Sequence, residues 1–129
     1  MHIIAMIPAR MGSERLKQKN FALLDGEPLI SYAIQAAANS GSFDQVVVNS
    51  DGKRMEVIAN RYGVDFYYRD PVLASSQTKS DDVIYDFINI FPNPFYENIN
   101  IFFDFFNSLD TSLNLLFVNQ VKVNWTNPD

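Results

Sequence analysis

Four cations stand within ten residues near the start of the chain: Arg10, Arg15, Lys17 and Lys19. They are four of the ten Lys and Arg in a sequence of net charge -5, and a single carboxylate, Glu14, lies among them. Guanidinium forks hold phosphate oxygens in pairs and an ammonium adds a mobile point charge, so the stretch suits a closely spaced polyanion such as a triphosphate. Gly12 leaves room for a phosphate to approach the backbone, and successive amides at Gly12 and Ser13 can form an anion-holding concavity. Asn20 is within chain reach of a ribose hydroxyl. The spacing is not that of a P-loop, so kinase or ATPase chemistry is not indicated. From charge alone, a solvated basic loop carries equal weight. What tips the balance is position: the cations follow an apolar run at residues 3–7, and open α/β sheets bind ligands beyond the carboxyl ends of their strands.

The elements around this stretch alternate in period. Residues 3–7 form a continuous apolar strand. Pro28 suits a helix's first turn, and Leu29, Ile30, Ala33, Ile34 and Ala37 share one helical face until Gly41. Residues 46–48 are a second buried strand. After Asp51-Gly52, Met55, Ile58, Ala59 and Tyr62 recur at helical spacing, with Gly63 as the cap. Residues 64–67 form a third strand. Ser80 is the expected N-cap of a helix carrying Val83, Ile84, Phe87, Ile88 and Phe91, with Asp81 and Asp82 at its positive end and Pro92 as its stop. This β-α-β-α-β-α order predicts a Rossmann-like, three-layer α/β fold, with a parallel sheet, right-handed crossovers and helices on both faces.

The last third has another texture. Eight of the eleven Phe and nine Asn lie at or after residue 87, whereas nine of the ten Lys and Arg lie at or before residue 79. Residues 101–106, Ile-Phe-Phe-Asp-Phe-Phe, are read as a buried core segment, because exposed they would be an aggregation hazard. Residues 115–118 and 121–123 are read as a further strand. Neither an internal repeat nor a Pro-, Gly- or Ser-rich linker divides the 129 residues, so a single domain is expected over 1–129.

Composition removes several chemistries. With no cysteine there is neither a disulfide nor a thiol nucleophile, and with His2 the sole imidazole no histidine metal cluster can form. His2 itself reads as a strand-end surface residue rather than a catalyst. The short apolar run at residues 3–7 is neither a secretory core nor a membrane span, so a soluble, cytoplasmic protein without a membrane partner is expected. Net acidity argues against a nucleic-acid partner while leaving room for a nucleotide at the local basic stretch.

The string Ile7-Pro8-Ala9-Arg10-x-Gly12-Ser13-x-Arg15-Leu16-x-x-Lys19-Asn20 resembles the signature of the cytidylyltransferases that activate nine-carbon acidic sugars, the acylneuraminate, pseudaminate and legionaminate synthetases. Residues 25–32, 42–51, 69–74 and 78–80 are similar to further segments of that family, so the likeness covers roughly residues 1–92. It implies the nucleotide-diphospho-sugar transferase type of fold, incomplete at the C-terminal side, with residues 93–129 divergent. It further implies CTP and an acidic keto-sugar as substrates, pyrophosphate as leaving group and Mg2+ as cofactor.

By that resemblance Arg10 and Arg15 would hold phosphates and Lys19 would meet charge developing toward pyrophosphate, making Arg10 and Lys19 the catalytic pair. Gly12 and Ser13 would cradle phosphate, Asn20 would hold the ribose, and Arg69 and Ser80 would approach the cytosine. Read locally, Arg69 is a strand-end ion pair with Asp70 or another carboxylate, Ser80 a helix cap, and Asp51-Gly52 a turn in which Asp51 could also stand near a metal-bound phosphate. The family's Gln-Pro-Thr-Ser-Pro-like turn after the third helix has no counterpart in this sequence. Its paired metal-binding aspartates belong to a region the likeness does not reach, so no metal-ligating residue is assigned. Two other expectations stay open: a non-catalytic nucleotide-binding remnant or dimerisation partner, self-associating through its Phe-rich segment, and a synthetase for the eight-carbon acid 3-deoxy-manno-octulosonate.

Overall fold

A computed structural model describes residues 2–12, 23–91, 98–104 and 120–126. Its centre is a five-stranded sheet made of β1 (His2–Pro8), β4 (Gln45–Ser50), β5 (Asp65–Tyr68), β6 (Asn98–Asp104) and β7 (Gln120–Thr126). The strand order is β5-β4-β1-β6-β7. A short hairpin, β2 (Leu23–Leu24) with β3 (Glu27–Pro28), stands apart and leads into helix α1 (Leu29–Asn39). Helix α2 (Lys53–Arg61) joins β4 to β5, and α3 (Ser80–Ile90) follows β5 after a 3-10 turn at Pro71–Ala74.

The central strand explains the layers. Ile4, Met6 and Ile7 have no exposed surface and Ala5 has 4%, a continuous apolar run that needs cover on both faces. Side chains alternate across a strand, and the packing follows that alternation. Ile4, Met6 and Val47 pack with Val83, Ile84, Phe87 and Ile88 of α3. Ile7 and Val48 pack with Ile30, Ala33 and Ile34 of α1 and with Met55, Ile58 and Ala59 of α2. Helices therefore cover both faces, as the periodicity predicts. The chain steps outward from β1 to β4 to β5 over one face, then returns past β1 to β6 over the other. All three crossovers consequently share one hand.

Two local devices set the entry and exit of these helices. Asp25 and Gly26 both have positive φ, 53° and 81°, the arrangement of a tight hairpin turn, and Tyr32 Oη donates to the Leu24 carbonyl to tie the hairpin to α1. At the end of α2, Gly63 has φ 71° and its N–H returns to the Asn60 carbonyl at 3.2 Å, a left-handed ending that a Cβ would strain.

The structure differs from the sequence reading at several points. Strand β7 pairs antiparallel to β6, so the sheet is parallel only across its other four strands. Of the apolar run at 101–106, whose secondary structure the sequence left open, residues 101–104 belong to a strand in parallel register with β1, Met6 opposite Phe103, and residues 105–106 lie outside the described residues. Period-2 alternation is hidden there by consecutive Ile and Phe. Lys79, not Ser80, occupies the N-cap of α3, which starts one residue earlier than expected. Pro28 likewise sits at the N-cap of α1, with an extended ψ of 141°, rather than inside its first turn. The two-residue strands of the hairpin were too short to show a period. Residues 115–118 lie outside the described residues.

Candidate nucleotide site

In a sheet whose parallel strands are joined by helices, all strand carboxyl ends and all helix amino ends fall on one rim. Strand β1 is also the point where the chain's outward path reverses, with β4 on one side and β6 on the other, and ligands bind at the crevice such a reversal leaves. The rim of this chain carries Ala9–Gly12 after β1, Asn49 to Gly52 at and after the end of β4, and Arg69-Asp70 after β5.

Arg69 is the most constrained of these. It is 3% exposed; its Nε donates to Asn49 Oδ1 at 2.7 Å, Nη2 to the Asn49 carbonyl at 3.1 Å and Nη1 to the Leu73 carbonyl at 3.4 Å. Its backbone N–H donates to the Ser50 carbonyl at 2.7 Å. Burial, reinforced by the neighbouring Arg10, lowers the guanidinium pKa to about 10, while Asp51 and Asp86 act in the opposite sense. The group stays charged at neutral pH. The ion pair with Asp70 suggested by local reading gives way to a different arrangement: Asp70 Oδ1 accepts from Val72 N at 3.0 Å and caps the 3-10 turn. Charge alone could not have identified Asn49 as the partner, since an uncharged amide in a strand carries no motif.

Gly12 lies outside the left-handed region, and a Cβ there would meet the Arg10 Nη1 at 3.6 Å, an ordinary contact. Among the described residues, packing does not demand glycine at this position. Asp51 Oδ1 accepts from Met11 N at 2.9 Å, joining the loops after β1 and β4. Of the residues singled out from sequence, Arg10, Gly12 and Arg69 come together at this rim. Ser13, Arg15, Lys17, Lys19 and Asn20 lie outside the described residues. Ser80 begins α3. His2 sits at the opposite rim, its Nε2 3.1 Å from Gln45 Oε1, away from any of this chemistry.

Residues 4–100 match the family model described as Cytidylyltransferase. The chain belongs to the cytidylyltransferase family. It is 40% identical over 89 residues to an N-acylneuraminate cytidylyltransferase of Escherichia coli O18:K1:H7, covering 69% of this chain and 21% of that protein. It is 39% identical over 106 residues to the CMP-N,N'-diacetyllegionaminic acid synthase of Legionella pneumophila, covering 81% of this chain and 43% of that one. Among solved structures, CMP:2-keto-3-deoxy-manno-octonic acid synthetase complexed with CTP superimposes with a TM-score of 0.61 at 20% identity, over 81% of this chain and 41% of the other. That likeness establishes the fold. This cytidylyltransferase chain thus spans less than half the length of these relatives.

Two further features bound the site's chemistry. Among the described residues no three His, Asp or Glu side chains gather into a metal-holding group. The rim carboxylates Asp51 and Asp70 each give Oδ1 to a backbone N–H and belong to no such group, so the described residues by themselves form no magnesium cage. Elsewhere, a cleft of about 440 Å³ lies between the hairpin and α2, lined by Leu23, Pro28, Arg54, Val57, Ile58 and Arg61. It is mainly apolar, and its walls run from the hairpin along α2. No helix among the described residues is long and apolar enough to cross a membrane.

Proposed function

We propose that this chain carries the CTP-holding face of a cytidylyltransferase that transfers CMP to an acidic nine-carbon keto-sugar of the sialic acid type. The observation that carries the reading is the convergence of Arg10, Gly12 and buried Arg69 on one rim beside the fold's reversal point, in a chain matching the family over residues 4–100. The names of the relatives at 39–40% identity support the nine-carbon sugar class. Among the described residues nothing closes over Gly12, and a phosphate approaching the backbone there would account for the glycine.

In this reading Arg10 and Arg15 neutralise the phosphates and the Gly12-Ser13 amides cradle them. Lys19 meets charge growing on the leaving pyrophosphate, Asn20 holds the ribose, and Arg69 and Ser80 face the cytosine end. The sugar's anomeric hydroxyl attacks the α-phosphorus. A new P–O bond forms as the bond to the β-phosphate oxygen breaks, and the hydroxyl proton passes to solvent. Positioning and charge neutralisation suffice for such a transfer, with no covalent intermediate on the protein.

Titration of the purified chain with CTP, with and without magnesium, followed by a pyrophosphate assay with N-acetylneuraminate and 3-deoxy-manno-octulosonate as competing acceptors, tests this. The expected outcome is saturable CTP binding and pyrophosphate release that depends on the nine-carbon acid. Binding without release would reduce the chain to a nucleotide-holding module, and no binding would refute the reading.

A further inference from the structure

The four residues from Asn49 to Gly52 make more contacts with the loop after β1 than a strand ladder requires. Ala9 N donates to the Asn49 carbonyl at 2.8 Å, extending the pairing one residue past the end of β1. Two residues on, Met11 N donates to Asp51 Oδ1 at 2.9 Å. The Met11 side chain then lies over Gly52: a Cβ built there would stand 2.2 Å from both Met11 Cγ and Sδ, with Met11 Cε at 3.2 Å. Met11 continues into the core shared by α1 and α2. Gly52 is itself held, its N–H donating to Ser50 Oγ at 3.1 Å. Arg10 is thereby bracketed, with the backbone fixed on one side at Ala9 and on the other at Met11.

We propose that Asp51 and Gly52 are positioning residues for the nucleotide loop: Asp51 acts as a hydrogen-bond acceptor for Met11 N, and Gly52 as the vacancy that seats the Met11 side chain, so that Arg10 and Gly12 are presented in one geometry. This rests on the nucleotide-binding reading above. It differs from the role an aspartate after a strand first suggests, a contact to a metal-bound phosphate, in what Asp51 must supply. An acceptor oxygen is enough for positioning, whereas a metal contact needs the negative charge. Asparagine retains the oxygen and removes the charge.

The test uses Asp51→Asn, Asp51→Ala and Gly52→Ala in the full chain, with two readouts. One is the CTP dissociation constant by calorimetry without magnesium. The other is the hydrogen-exchange rate of the Met11 amide relative to β1 amides in the absence of nucleotide, which normalises any general loss of stability. Asp51→Ala should weaken CTP binding about tenfold and speed Met11 exchange by at least as much, the scale of one lost hydrogen bond to a charged acceptor. Gly52→Ala should weaken binding comparably, because the new methyl evicts Met11. Asp51→Asn should restore both readouts to within about threefold of the parent, since the amide oxygen retains most of the bond. Equal loss in Asp51→Asn and Asp51→Ala would overturn the inference in favour of a role for the charge. If the parent chain binds no CTP, the functional reading fails, while Met11 exchange still decides whether Asp51 holds the loop.

Discussion

At neutral pH the Arg69 guanidinium is charged and nearly out of water, and an uncharged side chain, Asn49, holds it. With Oδ1 committed to Nε, the amide's orientation is fixed, and Nδ2 is buried without a partner among the described residues, a cost of about 1–3 kcal/mol. The clamp is a neutral amide, while Asp51 and Asp86 favour the guanidinium's charge and Arg10 opposes it. Next to this pair, Tyr67 Oη donates to Asp86 Oδ2 at 2.8 Å, and burial, then that hydrogen bond, pushes the phenol pKa above its ordinary 10.0. The sign follows from linkage. Above pH 10 the unfolded chain gives up this proton while the folded chain keeps it, so Tyr67 costs stability as pH rises through that range. Tyr67→Phe should therefore be about 1 kcal/mol less stable than the parent at pH 7, from the lost hydrogen bond. The difference should narrow above pH 10, as read from urea midpoints at both pH values. A difference that widens would contradict this account.

At the scale of elements, α3 and the strands beneath it meet through an aromatic cluster. Phe87 has no exposed surface; its ring is stacked on Phe91 at 4.9 Å and meets Tyr67 edge-on at 5.4 Å. Phe87→Ala should cost about 3–5 kcal/mol, the usual range for emptying such a site, and calorimetric unfolding would measure it. That helix was legible in the sequence because Val83, Ile84, Phe87 and Ile88 repeat at helical spacing, and the helices over the other face were legible for the same reason. Strands β1 and β4 announced themselves as apolar runs with turn residues after them. The hairpin at Leu23–Pro28 was not legible, since two residues carry no period. The antiparallel course of β7 was not legible either, because strand direction is decided by a connection rather than by the strand's own residues. At the site, residue types pointed to Arg10 and Gly12, and the family resemblance to Arg69. The contacts that hold them, Asn49 on Arg69 and Asp51 on Met11, join positions 20 and 40 apart in sequence. Only the register of neighbouring strands reveals such pairs.

Taken as a whole, the molecule separates its two rims by chemistry. The amino-end rim of the parallel strands is fastened by polar contacts of ordinary type: Ile3 N to Asp44 Oδ2 at 2.8 Å, His2 with Gln45, and Gln45 Nε2 to Asp65 Oδ2 at 2.7 Å. The carboxyl-end rim brings Arg10 and Arg69 together in a chain of net charge -5, and the loops there are tied to one another rather than left loose. A second cationic surface, the cleft of about 440 Å³ along α2, carries Arg54 and Arg61 on mainly apolar walls. Local charge alone would admit either cationic surface as a phosphate site; the reversal of chain path at β1 selects the carboxyl-end rim. The most direct measurement is the set of backbone amide NMR shifts that change on adding CTP. The account predicts that, among the described residues, the largest changes fall at residues 9–12, 49–52 and 69–70. Changes concentrated at residues 54–61 or at residues 2–3 and 44–45, with the carboxyl-end rim undisturbed, would contradict it.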